Sequence, residues 1–402
     1  MLLENKKILL GVTGSISAYK SAELLRLFQK QGAKVRVVLT PSAKEFIGEL
    51  TFRALTEEEV LSDWKDGKTG LEHIYWARWA DVFVIAPASA NTIAKLRAGL
   101  ADNFLTSTAL AFDKNIVLAP AMNTQMYINP ATVENLKVLK ERGYIIVEPD
   151  SGELACHEVG VGKLADIENI LQATLYAVYP KPLKGKKVVI TAGGTREYFD
   201  PIRYISNNSS GYMGYTLAKL AYALGGDVVL ISAPTCLKKP YGIKTIDVVS
   251  ARDMYKAVLK EAEDADIIIM NSAVADFRPK EFSTSKLKKN NEKSIVELER
   301  NPDILKALGE KKKDNQILVG FAAESDNILE NARGKLERKN LDMIVANPLD
   351  VFSQSHHKGF ILYKDGEKVD IPPSTKEKSA LFILEQLVKK FELWILICFC
   401  FL

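Results

Sequence analysis

The chain has 402 residues, with 54 Lys and Arg against 50 Asp and Glu, a formal charge of +4, and 47% hydrophobic and 26% charged residues. That length suggests two or three domains of ordinary globular composition, and so even a charge balance excludes a chain-wide nucleic-acid or membrane surface while leaving small anions as ligands. Cys156, Cys236, Cys398 and Cys400 show neither metal-ligand spacing nor a disulfide framework, and Met1-Leu-Leu-Glu-Asn-Lys-Lys lacks the apolar segment of a signal peptide, so a cytoplasmic location is expected.

Residues 1–178 alternate short β-rich apolar runs with helical patterns, which predicts an open parallel sheet covered on both faces. Strands are expected at Lys7–Val12, Lys34–Leu39, Asp81–Ala86, Asn115–Ala119 and Tyr144–Val147. Ligand loops then follow the strand carboxyl ends. The first, Gly11-Val-Thr-Gly14-Ser15-Ile, leads into a helix expected at Ala18–Lys30 and is neither a complete dinucleotide fingerprint nor a Walker loop. The second ends in Thr40-Pro-Ser42 with no acidic residue to hold a dinucleotide ribose, which favours a mononucleotide over NAD. Pro87-Ala-Ser89-Ala-Asn91-Thr92 adds hydroxyls and an amide, and Thr106-Ser107-Thr108 adds more. Each alone reads as a turn or cap; together they make a polar rim for a phosphate and a ring edge.

Three further positions carry candidate chemistry. His73, among aromatics in Leu71-Glu-His73-Ile-Tyr-Trp, is either packed or a proton carrier near neutral pH. Asn123, in Pro120-Ala-Met-Asn123, is a turn residue or an uncharged amide that orients a carboxylate. Cys156 lies in Ser151-Gly-Glu-Leu-Ala-Cys156-His-Glu-Val-Gly160-Val-Gly162-Lys163, a glycine-rich stretch suited to a flap, where a small buried hydrophobe would be out of place.

These segments resemble the flavodoxin-like, FMN-binding cysteine decarboxylases. The resemblance implies FMN held by Gly14, Ser15, Thr40, Ser89, Asn91 and Thr92, with His73, Asn123 and Cys156 catalytic. It also implies a route: oxidation of the substrate's cysteine side chain to a thioaldehyde lets the adjacent carboxylate leave, and Cys156 supplies a proton as the ene-thiol is reduced. His157 stands where that family usually has glycine, and Lys163 where it has arginine.

Tyr179-Pro-Lys-Pro-Leu-Lys-Gly-Lys-Lys187 reads as a junction between domains at 1–180 and 181–390, followed by an apolar tail at 391–402 too short to span a bilayer. After the junction, Val188-Val-Ile190 feeds the long loop from Thr191 to Gly214, whose glycines, Ser and Asn residues and helix start suit a phosphate-bearing ligand. Strands are expected at Asp227–Ser232, Lys244–Val249, Asp266–Met270, Ile317–Phe321 and Met343–Ala346, again an open α/β sheet. A hairpin is expected over Gly359–Lys364 and Glu367–Ile371, then a helix opened by a Ser374-Thr-Lys-Glu377 capping box. Asp276, at a strand tip in Met270-Asn-Ser-Ala-Val-Ala-Asp276, could face a ribose, a magnesium ion or only solvent. Lys286-Leu-Lys288-Lys289 is a solvated charge run or an anion contact, and Lys335 and Lys339 stand one helical turn apart, where an anion between them would relieve repulsion.

Thr191-Ala-Gly-Gly-Thr-Arg196-Glu, Asp200-Pro-Ile-Arg203-Tyr-Ile-Ser-Asn207-Asn-Ser-Ser-Gly211, Ala-Val-Ala-Asp276-Phe and Asn301-Pro302-Asp303-Ile304-Leu305 resemble the phosphopantothenate–cysteine ligases. With the first half, residues of roughly 5–390 are similar to the bifunctional coenzyme A biosynthesis enzymes that fuse decarboxylase and ligase. The resemblance implies CTP bound by Met270, Asn271, Ser272, Asp276, Lys286, Pro302, Asp303, Ile304, Leu305, Phe321, Lys335 and Lys339, with magnesium on the phosphates. It implies activation of 4'-phosphopantothenate as an acyl-cytidylate, held by Asn207 for attack by the amine of cysteine. Metal ligands are not identified. Tyr212 replaces the usual lysine and Asn271 the usual alanine. A homo-oligomer of decarboxylase trimers and ligase dimers, a dodecamer, is implied as well. The competing readings are a nicotinamide-dependent reductase and a flavin-binding regulatory subunit.

Overall fold

The computed structural model describes residues 1–67, 69–287, 295–324, 326–348 and 356–393. Lys288, Lys289 and the apolar residues 394–402 lie outside the described residues. Contacts divide the chain into two units, Met1–Tyr179 and the remainder from Pro180.

In the first unit, β1 (Lys7–Val12), β2 (Lys34–Leu39), β3 (Val60–Leu61), β4 (Val82–Ala88), β5 (Ile116–Pro120) and β6 (Ile145–Ile146) form one sheet of order β3-β2-β1-β4-β5-β6. Every pairing is parallel. Without the two-residue edge strand β3, the order is that of flavodoxin, with its switch point between β1 and β4. Both faces are covered, which is why β4 is buried along its whole length. Leu9, Phe83 and Ile85 pack there with Trp76 and Leu105. β4 runs two residues beyond expectation, to Ala88, through a register shift against β5 and a cis Ala86–Pro87 bond. The first helix spans Lys20–Lys30, after a short 3-10 turn at Ile16–Tyr19. Beyond the sheet, β7 (Asp150–Glu153) and β8 (Val159–Lys163) form an antiparallel ribbon.

The second unit contains β9 (Lys187–Ala192), β10 (Arg196–Tyr198), β11 (Tyr204–Ser206), β12 (Asp227–Ser232), β13 (Lys244–Asp247), β14 (Ile267–Met270), β15 (Phe277–Pro279), β16 (Leu298–Arg300), β17 (Ile317–Glu324), β18 (Met343–Pro348), β19 (His356–Tyr363) and β20 (Lys368–Thr375). Its main sheet has the order β13-β12-β9-β14-β17-β18-β19-β20. The first six are parallel and follow a Rossmann order, with the switch point between β9 and β14, and the hairpin β19–β20 adds antiparallel strands at one edge. The core beneath includes Val189, Ile231, Met254, Ile268, Leu318 and Ile344. Ribbons β10–β11 and β15–β16 stand apart from this sheet.

The hairpin is longer than its sequence signal: a turn between Tyr363 and Glu367 is closed by a 2.9 Å backbone bond, and β20 continues to Thr375. The cap therefore moves. Thr375, not Ser374, caps the last helix, accepting from the Lys378 N–H at 3.4 Å, and Glu377 accepts from the Tyr212 hydroxyl instead of closing a capping box.

One device recurs at the amino ends of the strands. Asp81 accepts the Lys7 N–H at 2.8 Å, Asp266 the Lys187 N–H at 2.8 Å and Asp342 the Leu318 N–H at 2.8 Å. In each case the aspartate's own N–H returns a bond to the same neighbour's carbonyl. Since each unit has its own sheet and core, cutting the chain between Pro180 and Lys187 is expected to leave two fragments that each unfold in a single cooperative transition. Calorimetry of the separated fragments checks this; a fragment without a transition would show that the units depend on each other.

Candidate active sites

At the switch point of the first unit, the loops after β1 and β4 are tied by Thr13, whose fully buried hydroxyl donates to the Pro87 carbonyl at 2.8 Å and accepts from the Ser89 N–H at 2.9 Å. The loop after β2 closes in from the other side. A Cβ on Gly14 would lie 2.6 Å from the Ser42 Cβ, so glycine is what permits that approach. Ser15 caps the 3-10 turn through the Ser17 N–H, Thr40 caps Pro41–Glu45 through the Ala43 N–H, and Ser89 caps the helix Ala90–Ala98 through the Thr92 N–H. Each hydroxyl of Ser15 and Thr40 accepts a cap bond and keeps its O–H as a donor. Thr92 is buried with its hydroxyl on Ser89, and Asn91 is exposed. Thr13 was not singled out by sequence, although a threonine directly after a buried strand and before glycine was its signal.

The flap ribbon β7–β8 is laid against the loop after β5. Met122 donates its N–H to the Gly162 carbonyl at 3.0 Å, and the Thr124 hydroxyl donates to the Val161 carbonyl at 2.8 Å. A Cβ on Gly162 would sit 2.2 Å from the Met122 carbonyl oxygen. The ribbon's turn, closed by Leu154 N–H to Glu158 carbonyl at 2.8 Å, holds Cys156 exposed at its tip. This docking brings two expected residues together: the Asn123 amide donates to the Cys156 sulfur at 3.5 Å and to the Glu158 carboxylate at 2.9 Å. His157 sits at φ +64°, in the left-handed region that costs an ordinary residue ~1–2 kcal/mol, which explains glycine as the usual residue at this turn.

His73 is placed elsewhere. On the helix Glu72–Trp79 it stands edge-on to Trp64, centroids 5.1 Å apart, with Phe104 at 6.5 Å. Its Nδ1 is buried without a hydrogen-bond partner in the described chain.

In the second unit a cavity of about 490 Å3 opens beside the carboxyl ends of β14 and β17. It is lined by Met270, Ser272, Asp276, Pro302, Asp303, Ile304, Leu305, Phe321, Lys335 and Lys339, ten of the twelve residues expected to hold a nucleotide. Asn271 and Lys286 are not in its wall. The Asn271 N–H is committed to the Thr191 hydroxyl at 3.1 Å, and Lys286 is exposed. Asn207 donates to the carbonyl of Val274, itself a wall residue, at 3.1 Å. Lys335 donates to the Phe321 carbonyl at 2.9 Å, and Lys339 is paired with Asp303. Burial pulls the Lys339 ammonium below its ordinary pKa, and the nearby Asp276 carboxylate opposes that shift. The repulsion between these lysines is thus relieved by protein oxygens. Five wall residues lie outside that expected set, Val274, Ala275, Phe277, Arg300 and Asn301; Asn301, part of the quoted Asn301–Leu305 motif, fixes the Asp276 strand tip by donating to the Ala275 carbonyl at 2.8 Å. Among the described residues, no group of three or more His, Cys, Asp or Glu gathers as a metal site, and no helix is long and apolar enough to cross a membrane.

Residues 2–178 match the family model Flavoprotein, and residues 183–391 match the DNA/pantothenate metabolism flavoprotein C-terminal domain. The chain is 45% identical over 396 residues to the coenzyme A biosynthesis bifunctional protein CoaBC of Bacillus subtilis (strain 168), covering 96% of this chain and 97% of the relative. The chain belongs to the CoaBC family. It is 39% identical over 402 residues to CoaBC of Escherichia coli (strain K12), covering 98% and 99% of the two chains. A solved C-terminal domain of CoaBC is 43% identical, with a TM-score of 0.46, over 53% of this chain and 98% of that one. The protein is therefore a bifunctional enzyme of coenzyme A biosynthesis, with a flavoprotein phosphopantothenoylcysteine decarboxylase in its first half and a phosphopantothenate–cysteine ligase in its second. The reductase and regulatory-subunit readings fall with that membership.

Because Gly162 has no room for a side chain against Met122, Gly162→Ala is expected to unseat the flap at a cost of about 1–3 kcal/mol, slowing decarboxylation about 10–100-fold. Steady-state assays of both activities check it: ligation should keep its rate, and equal loss of both would point to a wider folding defect.

Proposed function

We propose that the flavin of the first unit is FMN, held at the β1/β4 switch point by Gly14, Ser15, Thr40, Ser89, Asn91 and Thr92. The residues present fit a mononucleotide: capping hydroxyls with donors to spare, a glycine-made cradle, and a buried His73 Nδ1 that a bound group could satisfy. Bound there, FMN supplies the two-electron chemistry that turns the substrate's carboxylate into a leaving group. The observation that carries the rest is the Asn123 amide within reach of both the Cys156 sulfur and a carboxylate. Asn123 holds the substrate carboxylate as it now holds that of Glu158, without a charge that would stop carbon dioxide from departing. Cys156 would stand beside it to donate a proton to the ene-thiol carbon, and His73, whose buried Nδ1 has no partner in the described chain, would hold a proton for the same reaction.

In the second unit the cavity takes CTP, with Met270, Ser272, Pro302, Ile304, Leu305 and Phe321 around the base and ribose, and Lys335 and Lys339 exchanging their carbonyl and carboxylate partners for phosphate oxygens. Asn271 and Lys286 act from outside the wall, and Asn207 holds the acyl-cytidylate. Magnesium fits as an ion carried mainly by the phosphates with Asp276 as its protein carboxylate, since Mg2+ commonly keeps few protein ligands. The assembly is proposed as a homo-oligomer built from decarboxylase trimers and ligase dimers, and its exposed Cys156 thiol suits a reducing cytoplasm.

Cys156→Ser tests the decarboxylase reading. A hydroxyl is a far weaker acid than a thiol of pKa ~8.5, so carbon dioxide release and bleaching of the flavin absorbance should persist while 4'-phosphopantetheine formation falls about 100-fold or more. Normal turnover would remove Cys156 from the chemistry. For the ligase, Lys286→Gln should lower CTP-dependent ligation by roughly 100-fold with decarboxylation unchanged, the size of one lost transition-state contact. Unaltered ligation would exclude the contact.

A further inference from the structure

The chemistry proposed for the second unit leaves unused one carboxylate that is bonded at both oxygens. Asp200 is fully buried in the turn between β10 and β11. Its Oδ1 accepts the N–H groups of Ile202 at 2.9 Å and Arg203 at 2.7 Å. Its Oδ2 accepts the Arg203 guanidinium through Nε at 2.8 Å and Nη2, and also the N–H of Leu287 at 3.3 Å. The same Arg203 Nη2 donates to the Leu287 carbonyl at 2.9 Å. Both polar groups of one peptide residue are thus held by a single ion pair. A second tie, from the Ser283 N–H to the Phe199 carbonyl at 3.0 Å, fastens the segment four residues earlier.

Leu287 directly follows Lys286. A lysine carries about 2 kcal/mol of rotamer freedom, so an exposed one can meet a phosphate at a fixed place only if its backbone is fixed first. The bond set also demands a carboxylate. Five N–H bonds converge on its two oxygens, and an amide would turn an NH2 group toward either the guanidinium or the turn's N–H groups. The guanidinium and the turn's N–H groups hold the Asp200 carboxyl well below the usual carboxylate range, so it stays charged throughout the working range.

We propose that Asp200 is a positioning residue for the ligase reaction, setting Lys286 over the nucleotide by clamping the backbone of Leu287. This rests on the reading that Lys286 acts on CTP. The test uses the full-length enzyme with Asp200→Asn, Asp200→Glu, Lys286→Gln and the Asp200→Asn/Lys286→Gln double variant. Ligation kcat/KM for CTP should fall about 100-fold in Asp200→Asn, the loss expected from a displacement of about 1 Å, and the double variant should be no worse than Lys286→Gln alone. Trypsin should cut the Lys286–Leu287 bond several-fold faster in Asp200→Asn, read by mass spectrometry. Asp200→Glu, which keeps both oxygens, should restore part of the activity and of the protection; if Asp200→Asn fails to fold, this variant carries the comparison. Independent, multiplicative losses in the double variant, or an unchanged cut rate, would overturn the proposal alone. Full ligation by Lys286→Gln would overturn the reading of Lys286 and the proposal with it.

Discussion

A buried threonine hydroxyl at the carboxyl end of each unit's first strand joins the loops on which the chemistry depends. Thr13 spans the Pro87 carbonyl and the Ser89 N–H; Thr191 accepts the N–H groups of Asn271 and Ser272 at 3.1 and 3.0 Å. Both are wholly inaccessible to solvent. A parallel sheet covered on two faces leaves no polar backbone to spare except where its strands end, and those groups must find partners once desolvated. In each unit one hydroxyl meets that demand at the point where the strand order reverses, and in the second unit a cavity opens beside it. Sequence and topology thus converge on one spot for a physical reason, since the place where the sheet cannot satisfy itself is the place where it can hold a ligand.

Much of this could be read from the residues. Continuous apolar runs such as Lys7–Val12 and Val188-Val-Ile190 announced buried parallel strands, and the Gly, Ser, Thr and Asn tips that follow them announced ligand loops. Ten of the residues expected at the nucleotide came together in one cavity although they are drawn from several separate segments. What the sequence hid depends on tertiary placement. His157 is a glycine position because of a turn conformation that only the docked ribbon imposes. Asp200 looked like one letter of a motif, since its partners at Arg203 and Leu287 meet only after the loop folds. The helix start moved from Ser374 to Thr375 because strand pairing along β20 outcompeted a local cap.

The two sites handle charge in different ways. Around Asn123 the protein offers a neutral amide and a thiol, with a carboxylate, that of Glu158, on the docked ribbon. Around the second unit's cavity the lysines already have oxygen partners, Phe321 for Lys335 and Asp303 for Lys339. On the proposed reading, an anionic ligand entering the first site would displace a like-charged side chain, whereas one entering the second would meet cations that are already held and, at Lys339, partly desolvated. Pre-aimed donors cost little reorganisation at the moment of reaction, which is where electrostatic catalysis gains most.

The reciprocal aspartate bonds at Asp81, Asp266 and Asp342 lie at the opposite end of the sheets from all of this chemistry. Each locks the first rung of a parallel pair, and in a parallel ladder nothing downstream can slide unless that rung breaks. A slip of one residue would carry a strand tip about 3.3 Å along the sheet and turn every side chain on it to the wrong face. The alignment of Thr13 with Ser89, and of Thr191 with Ser272, is therefore set at the far edge of each sheet, as the teeth of a comb are held true by its spine.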